Sequence, residues 1–328
     1  MMNRVVFFSG GKGSFVVACH LKETYPNDNL ILYFTDSLIE DQDLYRFLFE
    51  ASDKLELPLL YHSANTTPIQ LMAKQKILFN SRFGNCSKYL KMKVAQDYFK
   101  KDKEPVLHQW HNGQYLKNDL FKKAEDTILY FGIDFTEMRR VEPIKQNWSP
   151  YKVEFPLVDD VFDYDFYFQK YDIKRPRLYN LGFSHNNCSG KCFKAGVKHF
   201  KLLKDKLPKM FEELMCQERH LQIFVSSYHH IKKLDLDDED KALLYKELDD
   251  CYMDYFDGKV NKPKLYIPPN VMYGSLENPS VKKYSFMKRK GQPYTLRDLK
   301  RDNNFTQMSL FNNDEIYDIG GCSNCLEK

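Results

Sequence analysis

The run from Arg4 to Ser14 constrains the fold more than any other part of the chain. RVVFF at 4 to 8 is a short apolar stretch that stops at Ser9-Gly10-Gly11-Lys12-Gly13-Ser14 and restarts as the apolar-periodic FVVACHLKETY. That order reads as strand, glycine loop, helix. A second unit follows in the same sense. NLILYF at 29 to 34 is a buried strand ended by Thr35-Asp36-Ser37, and DQDLYRFLFEASDK at 41 to 54 has helical periodicity. The pattern repeats more faintly as LPLLYH at 57 to 62, a polar helix start near Thr67, VLHQW at 106 to 110 and TILYFGI at 127 to 133. Strand–helix alternation predicts an α/β fold with a doubly wound, mostly parallel sheet and a binding site at the carboxyl ends of its strands.

After Trp148-Ser149-Pro150 the pattern changes, which suggests two regions, 1–150 and 151–328. The second begins with the aromatic and acidic FPLVDDVFDYDFYFQKY and continues through a loop-rich stretch to Cys192. Helices are expected at 195–217 and 238–256, the latter acidic, and the region is expected to pack back on the first. Hydrophobic residues make up 43% of the 328 and aromatics 15%, enough for a sizeable core and too much for wholesale disorder. The net charge of +4 is too weak to announce a nucleic-acid partner. No apolar run approaches the roughly 18 residues of a membrane span, so no membrane is expected and the location expected is cytoplasmic.

A glycine loop directly between strand and helix supplies backbone N–H groups that can face an anion at a helix N-terminus. Lys12 adds a charge for phosphates and Ser14 a hydroxyl. The loop is neither G-x-x-x-x-G-K-[ST] nor G-x-G-x-x-G, which excludes kinase-type and dinucleotide-type readings. It resembles the SGGxDS loop of the PP-loop ATP pyrophosphatase and adenine-nucleotide alpha-hydrolase superfamily. Ser9, Gly10, Gly11 and Ser14 match, and Gly13 stands where that family usually carries Asp. The resemblance implies ATP with Mg2+ as cofactor and cleavage between the alpha and beta phosphates, which adenylates a substrate. It also puts Asp36 beside the adenosine, accepting from a ribose hydroxyl or holding the metal. Asp41 and Asp43 read as helix caps.

The eight cysteines carry the second signal. Cys188 and Cys192 lie in HNNCSGKCFKAG, and Cys322 and Cys325 in the terminal GGCSNCLEK. Two short-spaced pairs beside glycines are what a four-thiolate metal site needs, holding a four-iron four-sulfur cluster or, as the weaker alternative, Zn2+. Cys19, Cys216 and Cys251 fall in helical stretches and read as fillers. Cys86 opens the cation-rich CSKYLKMK; a fifth ligand, a persulfide-bearing catalytic thiol and a small residue at a helix start all remain open for it. Cysteine before K-x-x-L-K is similar to the adenylyl-sulfate and phosphoadenylyl-sulfate reductase branch of the superfamily. RPRLYNLGFSHNNCSGKCFKAG resembles the nucleotide-side loop of those reductases. With YFTD, LIEDQDLYRFL and the terminal GGC, nearly the whole chain resembles phage and bacterial phosphoadenylyl-sulfate reductase-like proteins.

Residues 281–302 hold eight Lys or Arg with Tyr284, Phe286 and Tyr294 interleaved, a candidate nucleic-acid surface or the basic counterpart of the acidic helix. His185 and His199 beside the cysteine loop read as hydrogen-bonded residues, and Arg139 and Arg140 as either phosphate ligands or a helix flank. Three functions follow. The first is an ATP-dependent sulfurtransferase that adenylates a target, a nucleic acid among the candidates, and draws on a sulfur donor or reductant protein. The second is a sulfonucleotide reductase-like oxidoreductase. The third is a regulatory protein that binds an adenine nucleotide without hydrolysing it.

Overall fold

The computed structural model describes residues 1–80, 83–264 and 279–302. Six strands, β1 (Asn3–Phe7), β2 (Asn29–Asp36), β3 (Leu59–Ser63), β4 (Leu107–His111), β5 (Thr127–Phe131) and β6 (Lys152–Glu154), form one sheet ordered β4-β3-β2-β1-β5-β6. All neighbours run parallel except β3 and β4, which pair antiparallel. The two faces bury alternate residues of the same strands. Val6, Leu32 and Tyr130 pack under α1 (Lys12–Thr24) and α2 (Gln42–Leu55), while Val5, Ile31 and Leu129 pack with Ala95, Phe99, Ile144 and Trp148 of helices Lys93–Lys101 and Val141–Trp148. Burial on both faces is why the central strands read as continuous apolar runs rather than alternating ones. The sheet is α/β and mostly parallel, compatible with a doubly wound fold.

The chain packs as two compact units, and neither is continuous in sequence. The first contains Met1–Thr66 and Cys86–Gly190; the second contains Thr67–Asn85 and the described residues from Lys191 onward. Residues 151–190, which the sequence pattern grouped with the C-terminal region, thus belong to the sheet unit, where Phe155, Leu157 and Phe168 join its cores. The change of pattern after Pro150 marks the end of regular strand–helix alternation, not the end of the packed body.

The second unit is mainly helical. The periodicity at 195–217 resolves into two helices, Val197–Lys206 and Pro208–Ile231, because Pro208 opens the second at a position where its missing N–H costs no helical hydrogen bond. Asp238–Phe256 is the acidic helix, and Tyr252 and Phe256 pack on Phe224 with ring centroids 5.5 and 5.2 Å away. No described helix is long and apolar enough to cross a membrane.

The basic segment is only partly a surface. Phe286 is fully buried against Phe193, and Tyr294 is buried on the short hairpin Met287–Arg289 and Gln292–Tyr294. Two of the three interleaved rings are therefore core side chains. Lys282, Arg289 and Lys300 pair with Asp298, Asp302 and Glu212.

Glu218, buried in the helix Pro208–Ile231, accepts the N–H of Phe286 at 2.9 Å and that of Leu296 at 2.7 Å. Burial, only partly offset by these donors, pushes its carboxyl up to about 7. An unfolded glutamate titrates near about 4.3, so this contribution to stability is complete below that pH and is lost as pH rises through 7. Relative to E218Q, the wild type is expected to lose about 4 kcal/mol between these limits. Urea unfolding at stepped pH reads it, and parallel pH profiles for the two proteins would contradict it.

Candidate functional site

Strand order reverses beside β1. The chain winds outward through β2 and β3 on one side and returns through β5 on the other, and in open α/β sheets such a reversal leaves a crevice at the strands' carboxyl ends. The Ser9–Ser14 loop leaves β1 at that point, and Gly132 follows β5 there. Gly10 holds φ at +74°, a left-handed turn that favours glycine. Gly11 is the N-cap of α1, so no side chain of that residue closes the first turn. Ser14 Oγ donates to the Gly11 carbonyl at 3.0 Å and lies 3.4 Å from Ser9 Oγ. The Lys12 side chain lies between aromatic rings, its Nζ 5.6 Å from the centroid of Tyr164 and 5.7 Å from that of Tyr179.

Gly13 has a definite steric reason. A Cβ there would stand 2.9 Å from the Gly132 carbonyl oxygen, and a Cβ on Gly132 would stand 2.5 Å from the Ser14 nitrogen and 2.7 Å from the Gly13 carbonyl carbon. The two glycines let the loop and the end of β5 approach backbone to backbone. An aspartate at position 13 has no room unless one of these backbones moves.

Two residues from the stretch before Cys188 reach this loop. The Lys12 amide donates to the Tyr179 hydroxyl at 3.2 Å, and buried Asn186 donates from Nδ2 to the Gly10 carbonyl at 3.1 Å. Asn186 Oδ1 is also buried and has no hydrogen-bond partner. Tyr179 and Asn186 were not singled out by sequence reasoning; their only signal was membership of the RPRLYNLGFSHNNC stretch.

Asp36 ends β2 and is 1% exposed. Its carboxylate accepts from the Leu38 amide at 2.7 Å, from Tyr45 Oη at 3.0 Å and from Tyr61 Oη. Burial pushes this carboxyl up, against the pull of those hydroxyls. Both oxygens are thus engaged by the fold: Asp36 fixes the end of β2 to α2 and β3. Asp41 caps α2 by accepting from the Asp43 amide at 3.0 Å, and it also takes both arms of Arg177, at 2.8 and 2.7 Å. Asp43 pairs with Arg46 and accepts the Arg177 amide at 2.6 Å.

Glu40, between Asp36 and α2, gathers the Cys86 and Cys188 segments of this unit. Its side chain is fully buried and accepts from Ser37 Oγ at 2.8 Å, from Lys91 Nζ at 3.1 Å and from the Cys188 amide. Lys91 sits on the π-helical turn Ser87–Met92 that Cys86 opens. The Cys188–Ser189 peptides take left-handed φ values of 59° and 51°, and Ser189 Oγ donates to the Ile39 carbonyl at 2.7 Å. One buried carboxylate therefore ties the Cys86 turn and the Cys188 loop to the end of β2. Cys192 is buried in the second unit. Among the described residues no group of three or more His, Cys, Asp or Glu forms a metal-ligand set, and Cys322 and Cys325 lie outside them.

Cys19 is packed in the core of α1, where burial pushes its thiol up, as expected of a filler. Arg140 pairs with Glu137, and His199 is buried on the helix Val197–Lys206.

Compared with protein-family models, with curated proteins and with solved structures, the chain finds no match. The family reading therefore rests on the motifs quoted above.

Proposed function

We propose that the first unit binds the phosphates of ATP on the Ser9–Ser14 loop and that the chain uses this nucleotide to adenylate a target for sulfur transfer, as the PP-loop resemblance implies. The observation that supports it most is the position of the loop: a glycine-capped helix N-terminus at the strand-order reversal, with the β1 and β5 ends in backbone contact through Gly13 and Gly132. In this reading the first-turn amides of α1 and the Lys12 ammonium hold phosphate oxygens, and Ser14 orients the loop through the Gly11 carbonyl. The Tyr179 hydroxyl, which takes the Lys12 amide, stands where a phosphate oxygen would compete for it.

The Mg2+ site implied by the resemblance is not matched by these residues, because position 13 has neither a carboxylate nor room for one, and Asp36 is engaged by two tyrosines. The same close approach favours a second reading, a nucleotide-binding regulator that does not hydrolyse ATP. Nucleic acid, a sulfur donor or reductant protein, and an iron–sulfur or zinc group on Cys188, Cys192, Cys322 and Cys325 remain parts of the sulfur-transfer proposal.

Protein purified without oxygen is expected to release pyrophosphate from ATP, and S14A to lose at least about tenfold of that rate, as loss of a positioning hydrogen bond does. ATP binding without pyrophosphate release would select the regulatory reading. Sulfite release from a sulfonucleotide and a thiol reductant would select the reductase.

A further inference from the structure

The second unit holds a cavity of about 100 Å3 lined by Ser226, His229, His230, Lys233, Ser280, Lys283 and Tyr284. We propose that this is a binding site for a phosphate group, separate from the glycine loop and independent of the reading given to it. None of the seven lining residues carries a carboxylate, and two are lysines. Neither Lys233 nor Lys283 has a carboxylate partner among the described residues, in contrast to Lys282, Arg289 and Lys300 nearby. Two ammonium groups beside one small cavity repel each other unless an anion lies between them.

The rings of the wall are fixed before any ligand arrives. His229 Nε2 lies 3.0 Å from the Lys76 carbonyl, which can only accept, so the proton is on Nε2. The His229 ring stacks on Tyr284 with centroids 5.7 Å apart and planes 6° apart, and the Lys283 ammonium lies 4.9 Å from the Tyr284 centroid. His230 Nε2 is buried and has no hydrogen-bond partner. The lining thus comes from the helix Pro208–Ile231, from the turn after it and from the Ser280–Tyr284 segment, and each supplies residues with donor groups. A tetrahedral oxyanion with three or four acceptor oxygens uses such convergence; a planar carboxylate, with two, does not.

His229, His230 and Lys233 also lie at the C-terminal end of a helix, whose negative pole such residues complement. That pole amounts to about half an elementary charge, which the two lysine charges exceed. Within the lining itself, positive charge therefore outweighs that pole.

The phosphate group comes either from a free phosphate or monoester or from the backbone of a nucleic-acid strand, and two arms separate these. Inorganic phosphate is titrated into the full chain by calorimetry, beside the paired variant K233Q/K283Q. Both lysines are exposed, so the variant is expected to keep the wild-type melting temperature. Saturable uptake by the wild type, weakened about tenfold or more in the paired variant, is the expected result. No uptake by the wild type, equal uptake by the variant, or equal competition by acetate would overturn the proposal. In the second arm a single-stranded oligonucleotide is added to the phosphate-loaded protein. Displacement of phosphate from the wild type, with direct oligonucleotide binding weakened in K233Q/K283Q, supports the site with a phosphodiester as its ligand, and retention of phosphate supports it with a free phosphate or monoester.

Discussion

The variant G132A is expected to lose nucleotide binding by more than about tenfold and to unfold at a temperature several degrees below the wild type. The added Cβ would sit 2.5 Å from the Ser14 nitrogen, 2.7 Å from the Gly13 carbonyl carbon and 2.8 Å from the Ser14 Cα, all of them backbone. No rotamer relieves such a contact, so the start of α1 must move away from the end of β5. Overpacking of this kind costs about 1–3 kcal/mol, and the displaced amides are those proposed to face the phosphates. G13D, which would restore the residue usual in the SGGxDS loop, meets the Gly132 carbonyl oxygen at 2.9 Å with its Cβ alone. It is therefore expected to destabilise the protein without gaining pyrophosphate release. Thermal unfolding and ATP titration on both variants check this; a G13D protein with wild-type stability and higher turnover would show that the loop tolerates the acid after all.

The second large effect is expected at Glu40. E40A removes the acceptor of Ser37 and of the Cys188 amide and leaves Lys91, whose side chain is 19% exposed, without its carboxylate. Breaking a largely buried pair by removing one partner costs about 3 kcal/mol, because the remaining charge and amide stay desolvated. Urea unfolding of E40A, K91A and the double variant measures it. The sum of the two single losses is expected to exceed the loss in the double variant, since both remove the same contact. Additive losses would show that Glu40 and Lys91 act independently. In E40A the Cys188 loop is further expected to become accessible to thiol reagents, because the carboxylate that holds its amide is gone.

How much of this was readable beforehand depends on where the information lies. β1, β2, β3, α1 and α2 were legible because strands buried on both faces are continuous apolar runs and because Gly11, Asp41 and Thr67 are local helix-start signals. The antiparallel direction of β4 was not, since VLHQW carries the same pattern in either direction. Nor was the division into units. Thr67–Asn85 joins a body whose remaining residues follow more than a hundred positions later, and no composition shift marks that return.

In the site, the glycine loop announced itself by its residues, but its fit did not. Gly132 looks like an ordinary strand exit until it is seen against Gly13. The resemblance places Asp36 beside an adenosine, and only the hydroxyls of Tyr45 and Tyr61 on its carboxylate, contacts between separate elements, show its structural work. Glu40 lies inside LIEDQDLYRFL, but nothing in that stretch marks it out from its neighbours; its importance comes from what converges on it. Likewise Phe286 and Tyr294 count as interleaved aromatics in sequence and as core in the fold, because position in a cation-rich run says nothing about which side of the hairpin a ring occupies.

Titration of ATP into the full chain, wild type against G132A and K12A, decides whether the Ser9–Ser14 loop is an adenine-nucleotide phosphate site. Saturable one-to-one binding is expected, falling more than about tenfold in G132A and about tenfold in K12A, the latter with unchanged thermal stability. Failure of the wild type to bind ATP, or equal affinity in all three proteins, would contradict it.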